Sequence, residues 1–264
     1  MTADIYQHYP ASERNFIDKG LDWIRQVNDR QVFHCTYFLN PREREILSGL
    51  ANAQDVLFFS EPLSAEYQKM IIAPAYYQLN PTDFDLALLE IHFPSKFGHI
   101  SHRQILGALL GETGLDRREI GDVLVSEQQA QFFVSKHLVS HFLSEGMIRK
   151  IGGLAVKLKE IPLDKVITTE DEAVTSMLLV TSLRLDKLVA ASLNISRYLA
   201  SNMVQSGQVK VNYSVILRTD SLLSEGDLLS IRGYGRIKIL RLHGFTKKGK
   251  MKVEISSFLS RKGR

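Results

Sequence analysis

The chain has 264 residues and a net charge of +4. Its contents of 44% hydrophobic and 23% charged residues are typical of a soluble globular protein. The single cysteine, Cys35, excludes an intramolecular disulfide and a cysteine-based metal cluster, and it agrees with a reducing compartment. Because no leader segment is visible and no apolar run is long enough to span a bilayer, we expect a cytoplasmic protein without a membrane partner.

The first 93 residues alternate between helical and strand-like sequence. Apolar side chains recur at a helical period in residues 11–30, and residues 31–39 are β-branched and aromatic, as in a strand. Asn40 and Pro41 are typical of a helix start, and the strand-like segment at 55–61 completes a βαβ-like unit. Two further strand-like segments follow, so the sequence predicts an N-terminal α/β domain that spans residues 1–93.

A second region, residues 94–180, also mixes helical and strand-like sequence. A helical segment near its start is followed by a pair of strands, a short helix and another strand. The acidic, threonine-rich segment at 167–176 precedes a change in charge and indicates the end of this region. We therefore expect a central α/β domain between residues 94 and 180.

The segment FGHISHRQILGALLG, residues 97–111, opens this central region. Ser101 and Gln104 have the spacing of a capping box, and the apolar residues after them fall on one face of a helix. His102 and Arg103 occupy the first turn, where free amide hydrogens and the positive helix end favour a bound phosphate group. A structural helix whose His102 and Arg103 side chains are merely solvated explains the pattern equally well.

The tetrapeptide His99-Ile100-Ser101-His102 differs by one residue from the HIGH motif of class I tRNA synthetases. That motif needs glycine at its third position, so that the helix start can approach a nucleotide closely, and Ser101 occupies this place. No KMSKS motif follows, and the sequence has neither a P-loop nor a G-x-G-x-x-G segment. His99 and His102 lack a nearby carboxylate or cysteine that would complete a metal site. We expect no catalytic residue, no cofactor and no metal.

The last 81 residues, from Arg184 to Arg264, concentrate the positive charge. They contain 16 lysine and arginine residues against 5 aspartate and glutamate residues, a net charge of +11. The other 183 residues contain 17 basic and 24 acidic residues, a net charge of −7. Such a concentration of cations suits a polyanion, and nucleic acid is the most common one. The alternative is a basic face that serves only solubility.

The basic segment has a distinctive order of elements. Leu185, Leu188 and Val189 have the spacing of one helix face, and Ser196 is placed to cap a second helix. A glycine that can end this helix, an alternating strand and a Gly-Asp turn follow, which predicts two helices on a small sheet. This order resembles the S4 RNA-binding domain over about fifty residues. The matching elements are Arg184-Leu185-Asp186, Ser196-Arg197, Gly207, Val209-Lys210-Val211-Asn212 and Gly226-Asp227.

An S4-like module in residues 181–264 would grip folded RNA by its shape and its phosphates. We expect Asp186 to be structural, holding a neighbouring arginine or a helix end, and we expect the main phosphate contacts to share one positive surface. Tyr213 departs from the glycine of many S4 domains, so the turn there is expected to be tighter or differently shaped. The main candidates for RNA contact are Arg184, Lys187, Arg197 and Lys210. Further candidates are Ser196, Asn212, Arg232, Arg236, Lys238, Lys247, Lys248 and Lys250.

A wider resemblance covers nearly the whole chain. The segments FLNPREREIL, HISHRQILGALLGETGLDRREIGDVLV and RGYGRIKI resemble those of the YlmH family of bacterial S4 proteins. Gln104 replaces an acidic residue of that family's pattern. The resemblance implies a non-catalytic, ribosome-associated protein whose N-terminal domain is akin to an RNA-recognition fold. It further implies binding of rRNA or tRNA on large ribosomal subunits obstructed by peptidyl-tRNA, during rescue of stalled translation, and a gene neighbourhood of cell-division genes. We expect a monomer.

Two other functions remain open from the sequence. Pseudouridine synthases also carry S4 domains, and their catalytic aspartate lies in a Gly-Arg-Leu-Asp type motif. Gly114-Leu115-Asp116 lacks the arginine of that motif, and Arg184-Leu185-Asp186 is explained by the S4 start. Those enzymes also generally place the S4 module first, whereas here it is last. A protein-interaction adaptor that acts through the acidic N-terminal half is compatible with RNA binding.

Overall fold

The structure is a computed structural model, and it describes residues 5–51, 56–144, 147–168 and 173–259. The chain divides into two compact units. Residues 14–169 form one unit, and residues 170–264 form the other together with residues 1–13.

Helices and strands alternate along the described part of the chain, as the sequence predicts. The α-helices are α1 (Arg14–Arg30), α2 (Pro41–Ala51), α3 (His102–Thr113), α4 (Val139–Leu143), α5 (Leu185–Leu193) and α6 (Arg197–Gln205). The strands of the first unit are β1 (His34–Cys35), β2 (Val56–Glu61), β3 (Lys69–Pro74), β4 (Leu86–His92), β5 (Ile120–Val125), β6 (Ala130–Ser135), β7 (Lys150–Ile151), β8 (Leu154–Ala155) and β9 (Lys157–Ile161). The strands of the second unit are β10 (Val174–Val180), β11 (Val209–Val211), β12 (Ser214–Val215), β13 (Leu228–Ile231), β14 (Gly235–Phe245) and β15 (Met251–Leu259).

The N-terminal part of the first unit packs α1 on a three-stranded sheet with the order β1-β3-β2, and α2 packs against α1. Both β1 and β2 pair antiparallel with β3, so the predicted βαβ-like unit is split by an inserted strand. Strand β1 is shorter than predicted, because the Thr36 hydroxyl accepts the Met70 N–H at 2.9 Å in place of a backbone oxygen. Asn40 and Glu43 form the capping box that starts α2.

Strand β4 belongs to a second, four-stranded sheet with the order β5-β6-β4-β9. It pairs with β6 over Leu86–Ile91 and with β9 over Leu88–His92. A domain boundary at residue 93 would cut through these backbone hydrogen bonds, so β4 lies structurally with the residues that follow it. Sequence periodicity identifies the strand but carries no information about its partners.

The two faces of the second sheet are buried in different cores. Leu89 lies in the core that includes α3 and α4, whereas Leu88 and Phe133 pack with Phe38 from the N-terminal part. The Asp122 carboxylate on β5 accepts two backbone N–H bonds, at 2.7 and 2.9 Å, from the segment that precedes β3. The sequences expected to form separate N-terminal and central domains therefore share a core.

The second unit packs α5 and α6 on one face of a six-stranded sheet with the order β10-β15-β14-β13-β11-β12. This confirms two helices on a sheet, which the hairpin of β14 and β15 continues. Strand β10 pairs with β15 along its whole length, so the predicted boundary at residue 180 would separate it from its sheet. Glu13 also lies in this unit, since its carboxylate accepts the Ser214 hydroxyl at 2.6 Å.

The turns of the second unit use left-handed backbone where the sequence predicts it. Gly207 has φ 71° after α6, and Gly226 has φ 88° in the turn before β13. Asn212 and Tyr213 connect β11 to β12 with φ 48° and 69°, which is the pattern of a two-residue hairpin turn of type I′. Tyr213 therefore adopts the left-handed conformation that glycine reaches without strain.

Candidate nucleic-acid interface

The buried carboxylate of Asp186 organises the surface at the start of α5 and α6. Its side chain is 1% exposed. Arg184 donates to it from Nε at 3.1 Å and from Nη2 at 3.2 Å, and Arg197 donates from Nε at 2.8 Å. The backbone N–H of Lys187 completes the set at 2.9 Å. The expectation that Asp186 is structural agrees with these contacts, and we call the three side chains Arg184, Asp186 and Arg197 the arginine hub.

The arginine hub keeps its carboxylate ionised and its two guanidinium groups oriented. Burial acts to raise the pKa of Asp186, but the hydrogen bonds from Arg184 and Arg197 outweigh it and hold the pKa below its ordinary value. The arginine side chains are 32% and 56% exposed. Because a guanidinium has five N–H donors, each arginine retains donors for a ligand after it has bound Asp186. The N–H donors of an oriented guanidinium group match the geometry of phosphate oxygens.

Lys187 and Ser196 lie beside the arginine hub but already have protein partners. The Lys187 ammonium donates to the Thr181 hydroxyl at 2.9 Å. The Ser196 hydroxyl accepts the Leu199 N–H at 3.2 Å and caps α6, as its position predicts. Both side chains therefore help to fix the helix starts.

Lys210 does not share this surface. It lies on β11 between Val209 and Val211, whose side chains pack in the core beneath the helices, and successive strand residues point to opposite faces. Lys210 therefore faces away from α5 and α6. The expectation of one surface for all four main cations is wrong, because Arg184, Lys187 and Arg197 lie on the helical layer, which covers the opposite face of the sheet.

A second group of cations lies on the outer face of the sheet. Lys210 pairs with Ser230, which in turn pairs with Arg236, and Lys238 follows two residues later on the same face. Along β14, Arg236 and Lys238 alternate with the buried side chains of Ile237 and Ile239. The protein therefore carries one cationic surface on its helical layer and another on the outer face of its sheet.

Asn212 fixes a turn with its side chain. Its Nδ2 donates to Asp227 Oδ1 at 2.8 Å, and its Oδ1 accepts the Leu228 N–H at 2.9 Å. These bonds tie the β11–β12 hairpin to the turn before β13. The sequence places Asn212 among the RNA contacts, but the structure gives it a role in holding the sheet.

Arg232 and the lysine-rich hairpin tip lie at opposite ends of β14. Arg232 is exposed in the turn between β13 and β14, whereas the tip joins β14 to β15. Since β14 has 11 residues, its ends are separated by roughly 30 Å. The side chains of the tip are Lys247, Lys248 and Lys250, and all three are exposed.

His102 and Arg103 are exposed in the first turn of α3, in the unit formed by residues 14–169. The predicted capping box is present: Ser101 Oγ accepts the Gln104 N–H at 3.3 Å, and Gln104 Oε1 accepts the Ser101 N–H at 2.9 Å. The box uses some of the donors that a phosphate would need. The capping box explains the helix start without a ligand, and phosphate binding by His102 and Arg103 stays a prediction.

Sequence reasoning missed a group of cations that lie on aromatic rings in the first unit. Lys19 Nζ lies 4.6 Å from the centre of the Tyr37 ring, and the Arg118 guanidinium carbon lies 4.7 Å from it. Arg117 lies 4.8 Å from the ring centre of Tyr67. Burial raises the pKa of Tyr37 to about 12, against the opposing effect of Arg118. The partners are distant in sequence, so no local pattern could reveal them.

The residues considered for other chemistry have structural partners. Asp116, the candidate catalytic aspartate of a pseudouridine synthase, accepts the Arg118 N–H at 2.9 Å and caps a short helix. Within the described ranges, no group of three or more histidine, cysteine, aspartate and glutamate side chains is placed to hold a metal ion. No described helix has the length and apolar character needed to cross a membrane.

Comparisons with known proteins match three successive parts of the chain. Family models match residues 12–77 as "YlmH, N-terminal", residues 80–165 as an "RNA-binding domain in YlmH" and residues 183–229 as "S4 domain". The chain is 37% identical over 253 residues to "Ribosome-associated protein quality control protein P2" of Bacillus subtilis, and the match covers 95% of this chain and 97% of that protein. A solved structure, "Cell division protein ylmH from Streptococcus pneumoniae", is 34% identical with a TM-score of 0.54 and covers 62% of this chain and 99% of its own.

Proposed function

The chain belongs to the YlmH family, and we propose that it is a ribosome-associated RNA-binding protein that uses its S4 unit to dock on the large ribosomal subunit. The observation that carries this proposal is the arginine hub. Arg184 and Arg197 lie at the starts of two successive helices, and one buried carboxylate holds both guanidinium groups at the surface.

The arginine hub supplies oriented cations to the phosphates of a folded rRNA or tRNA. Ion pairing with phosphates releases counterions, which gives rapid and salt-dependent association without reading the sequence. Discrimination between ribosomal states then comes from the shape of the RNA and from contacts by residues 80–165, whose family model carries an RNA-binding description. The outer cations Lys210, Arg236 and Lys238 provide a further backbone contact.

The biological setting that we propose is the rescue of stalled translation in the cytoplasm. The name of the B. subtilis relative supports ribosome-associated quality control. The protein acts as a monomer that binds rRNA, tRNA or both on an obstructed large subunit, and it catalyses no reaction. The capping role of Asp116 favours this function over uridine isomerisation.

The test removes the two hub arginines without leaving a buried charge unpaired. The triple variant Arg184→Gln/Asp186→Asn/Arg197→Gln should bind a fluorescent structured RNA more weakly. The slope of the logarithm of the RNA association constant against the logarithm of the salt concentration should fall in magnitude by about 1 to 2, because up to two phosphate contacts are lost. Binding would be measured by fluorescence anisotropy, and co-sedimentation with large subunits would test the docking.

The matched control removes the same charges from an exposed face of α1. The variant Arg14→Gln/Asp22→Asn/Arg25→Gln changes the net charge equally and should keep the wild-type salt slope. If the wild-type protein bound neither RNA nor large subunits, or if the hub variant bound as the wild type does, the proposed function would be wrong. Circular dichroism would show that each variant is folded.

A further inference from the structure

The outward face of α6 carries an aromatic ring and two amides beside the arginine hub. Tyr198 is 78% exposed, and Asn202 and Gln205 are also exposed. These residues occupy positions i, i+4 and i+7 of the helix, so they lie on one face. The buried residues of α6 lie on the opposite face, and they are Ala200, Met203 and Val204.

Tyr198 is well placed to contact a ligand. It directly follows Arg197, whose guanidinium is fixed by Asp186 at 2.8 Å, and it precedes the half-exposed Leu199. The Tyr198 hydroxyl has no hydrogen-bond partner among the described residues, and its ring is carried by a helix whose start is capped. Because the backbone of this helix is fixed and a tyrosine side chain has only two rotatable χ angles, Tyr198 loses little conformational entropy when it stacks on a flat ligand.

The chemistry of this face differs from that of the arginine hub. Tyr198, Asn202 and Gln205 are uncharged, whereas the hub presents cations. Every nucleic-acid base has a flat face that stacks on aromatic rings, and amide side chains can donate to and accept from base edges. In RNA, such contacts require an unpaired base, because bases inside an A-form helix are stacked and hard to reach.

We infer that Tyr198 stacks on an unpaired RNA base, with Asn202 and Gln205 as hydrogen-bond partners for its edge. The inference rests on the proposed function, because the arginine hub must first hold the adjacent phosphates. According to this inference, the second unit, which contains the S4 match, prefers RNA with a single-stranded loop or bulge over a fully paired duplex.

The experiment compares two RNA probes with equal numbers of phosphates. One is a stem-loop that carries 2-aminopurine in its loop, and the other is a fully paired blunt duplex. Full-length Tyr198→Ala should bind the stem-loop roughly ten-fold more weakly than the wild type, because one base stack is lost, and it should bind the duplex equally well. Its salt slope on both probes should match that of the wild type, since no charge is removed.

Two further variants show whether a loss of affinity is due to the aromatic ring of Tyr198. Tyr198→Phe keeps the ring and should retain both the affinity and the quenching of 2-aminopurine fluorescence, whereas Tyr198→Ala should lose the quenching. Tyr76→Ala removes another exposed tyrosine, 68% exposed in the first unit, and should bind the stem-loop as the wild type does. Circular dichroism would confirm that the variants fold.

Three outcomes would overturn the inference while leaving the proposed function intact. Tyr198→Ala could bind the stem-loop as tightly as the wild type, or it could weaken stem-loop and duplex equally. It could also reduce co-sedimentation with large subunits without changing stem-loop binding, which would assign Tyr198 to a protein contact. A wild-type protein that bound neither probe nor the subunit would instead refute the proposed function.

Discussion

Two aspartates, one in each unit, bind cations in different ways. In the first unit, Asp85 accepts from Lys69 Nζ at 3.1 Å, and the lysine side chain is only 4% exposed. In the second unit, Asp186 is the buried partner, and its arginines are 32% and 56% exposed. The same ion-pair chemistry therefore fixes a lysine inside the first unit and presents arginines at the surface of the second.

The comparison shows that the position of the buried partner decides what an ion pair does. The Lys69 ammonium donates to the carboxylate and to the backbone oxygen of Asp85, and its Nζ lies 5.6 Å from the centre of the Phe38 ring. Its charge is not available to a ligand. Arg184 and Arg197 remain available because the carboxylate, and not the cation, is buried. Two single substitutions test this contrast, and a triple variant tests cations that have no buried carboxylate beside them in the part of the chain that the structure describes.

The largest effect is expected for Asp85→Asn, which leaves the Lys69 ammonium buried without its counter-charge. The free energy of unfolding should fall by about 2 to 3 kcal/mol, somewhat less than for a fully buried pair because asparagine keeps an acceptor oxygen. Asparagine also tolerates the left-handed backbone at this position, where φ is 47°. Denaturation by urea would measure the loss, and the exposed variant Lys136→Gln should change little. Unchanged stability of Asp85→Asn would contradict the buried role of Lys69.

A smaller effect is expected for Asp186→Asn, and its sign separates two explanations of RNA affinity. The variant gains one unit of positive charge, so attraction by net charge alone predicts tighter binding. Because Asp186 orients Arg184 and Arg197, we instead expect RNA affinity to fall about five-fold. Asp220→Asn removes the same charge from an exposed position in the same unit and should not weaken binding. Fluorescence anisotropy would measure the RNA affinity of both variants. Tighter binding by Asp186→Asn than by the wild type would show that the orientation of Arg184 and Arg197 does not contribute to RNA affinity.

The smallest effect is expected at the hairpin tip between β14 and β15. Replacing Lys247, Lys248 and Lys250 by glutamine should weaken RNA binding about two- to three-fold at low salt and have no measurable effect at high salt, because solvated charges are screened. The thermal midpoint should stay unchanged, since all three side chains are exposed. A loss of affinity that persists at high salt would mean that the tip is a specific contact and not an auxiliary one.

Features that depend on neighbours in the sequence could be predicted. The helix cap at Asn40, the capping box at Ser101, the left-handed Gly207, and the helices α5 and α6 all follow from residues within a few positions of one another. The structural role of Asp186 also followed, because the S4 pattern places it beside Arg184. These signals are local because helical hydrogen bonds and caps join residues three or four positions apart.

Features that depend on strand partners could not be predicted. The membership of β4 in the second sheet, the position of Lys210 on the sheet face opposite the helices, and the two bonds of Asn212 to the turn before β13 all escaped the sequence analysis. Each follows from pairing between segments that lie far apart in the chain.

By itself, the sequence determined which segments form helices and strands, where the positive charge is concentrated, and which family the chain resembles. Only the tertiary structure decided which cations share a surface, because a side chain's direction depends on the face that its strand or helix buries. Burial brings together residues that are distant in sequence, and it separates Lys210 from Arg197, which lies only thirteen positions before it.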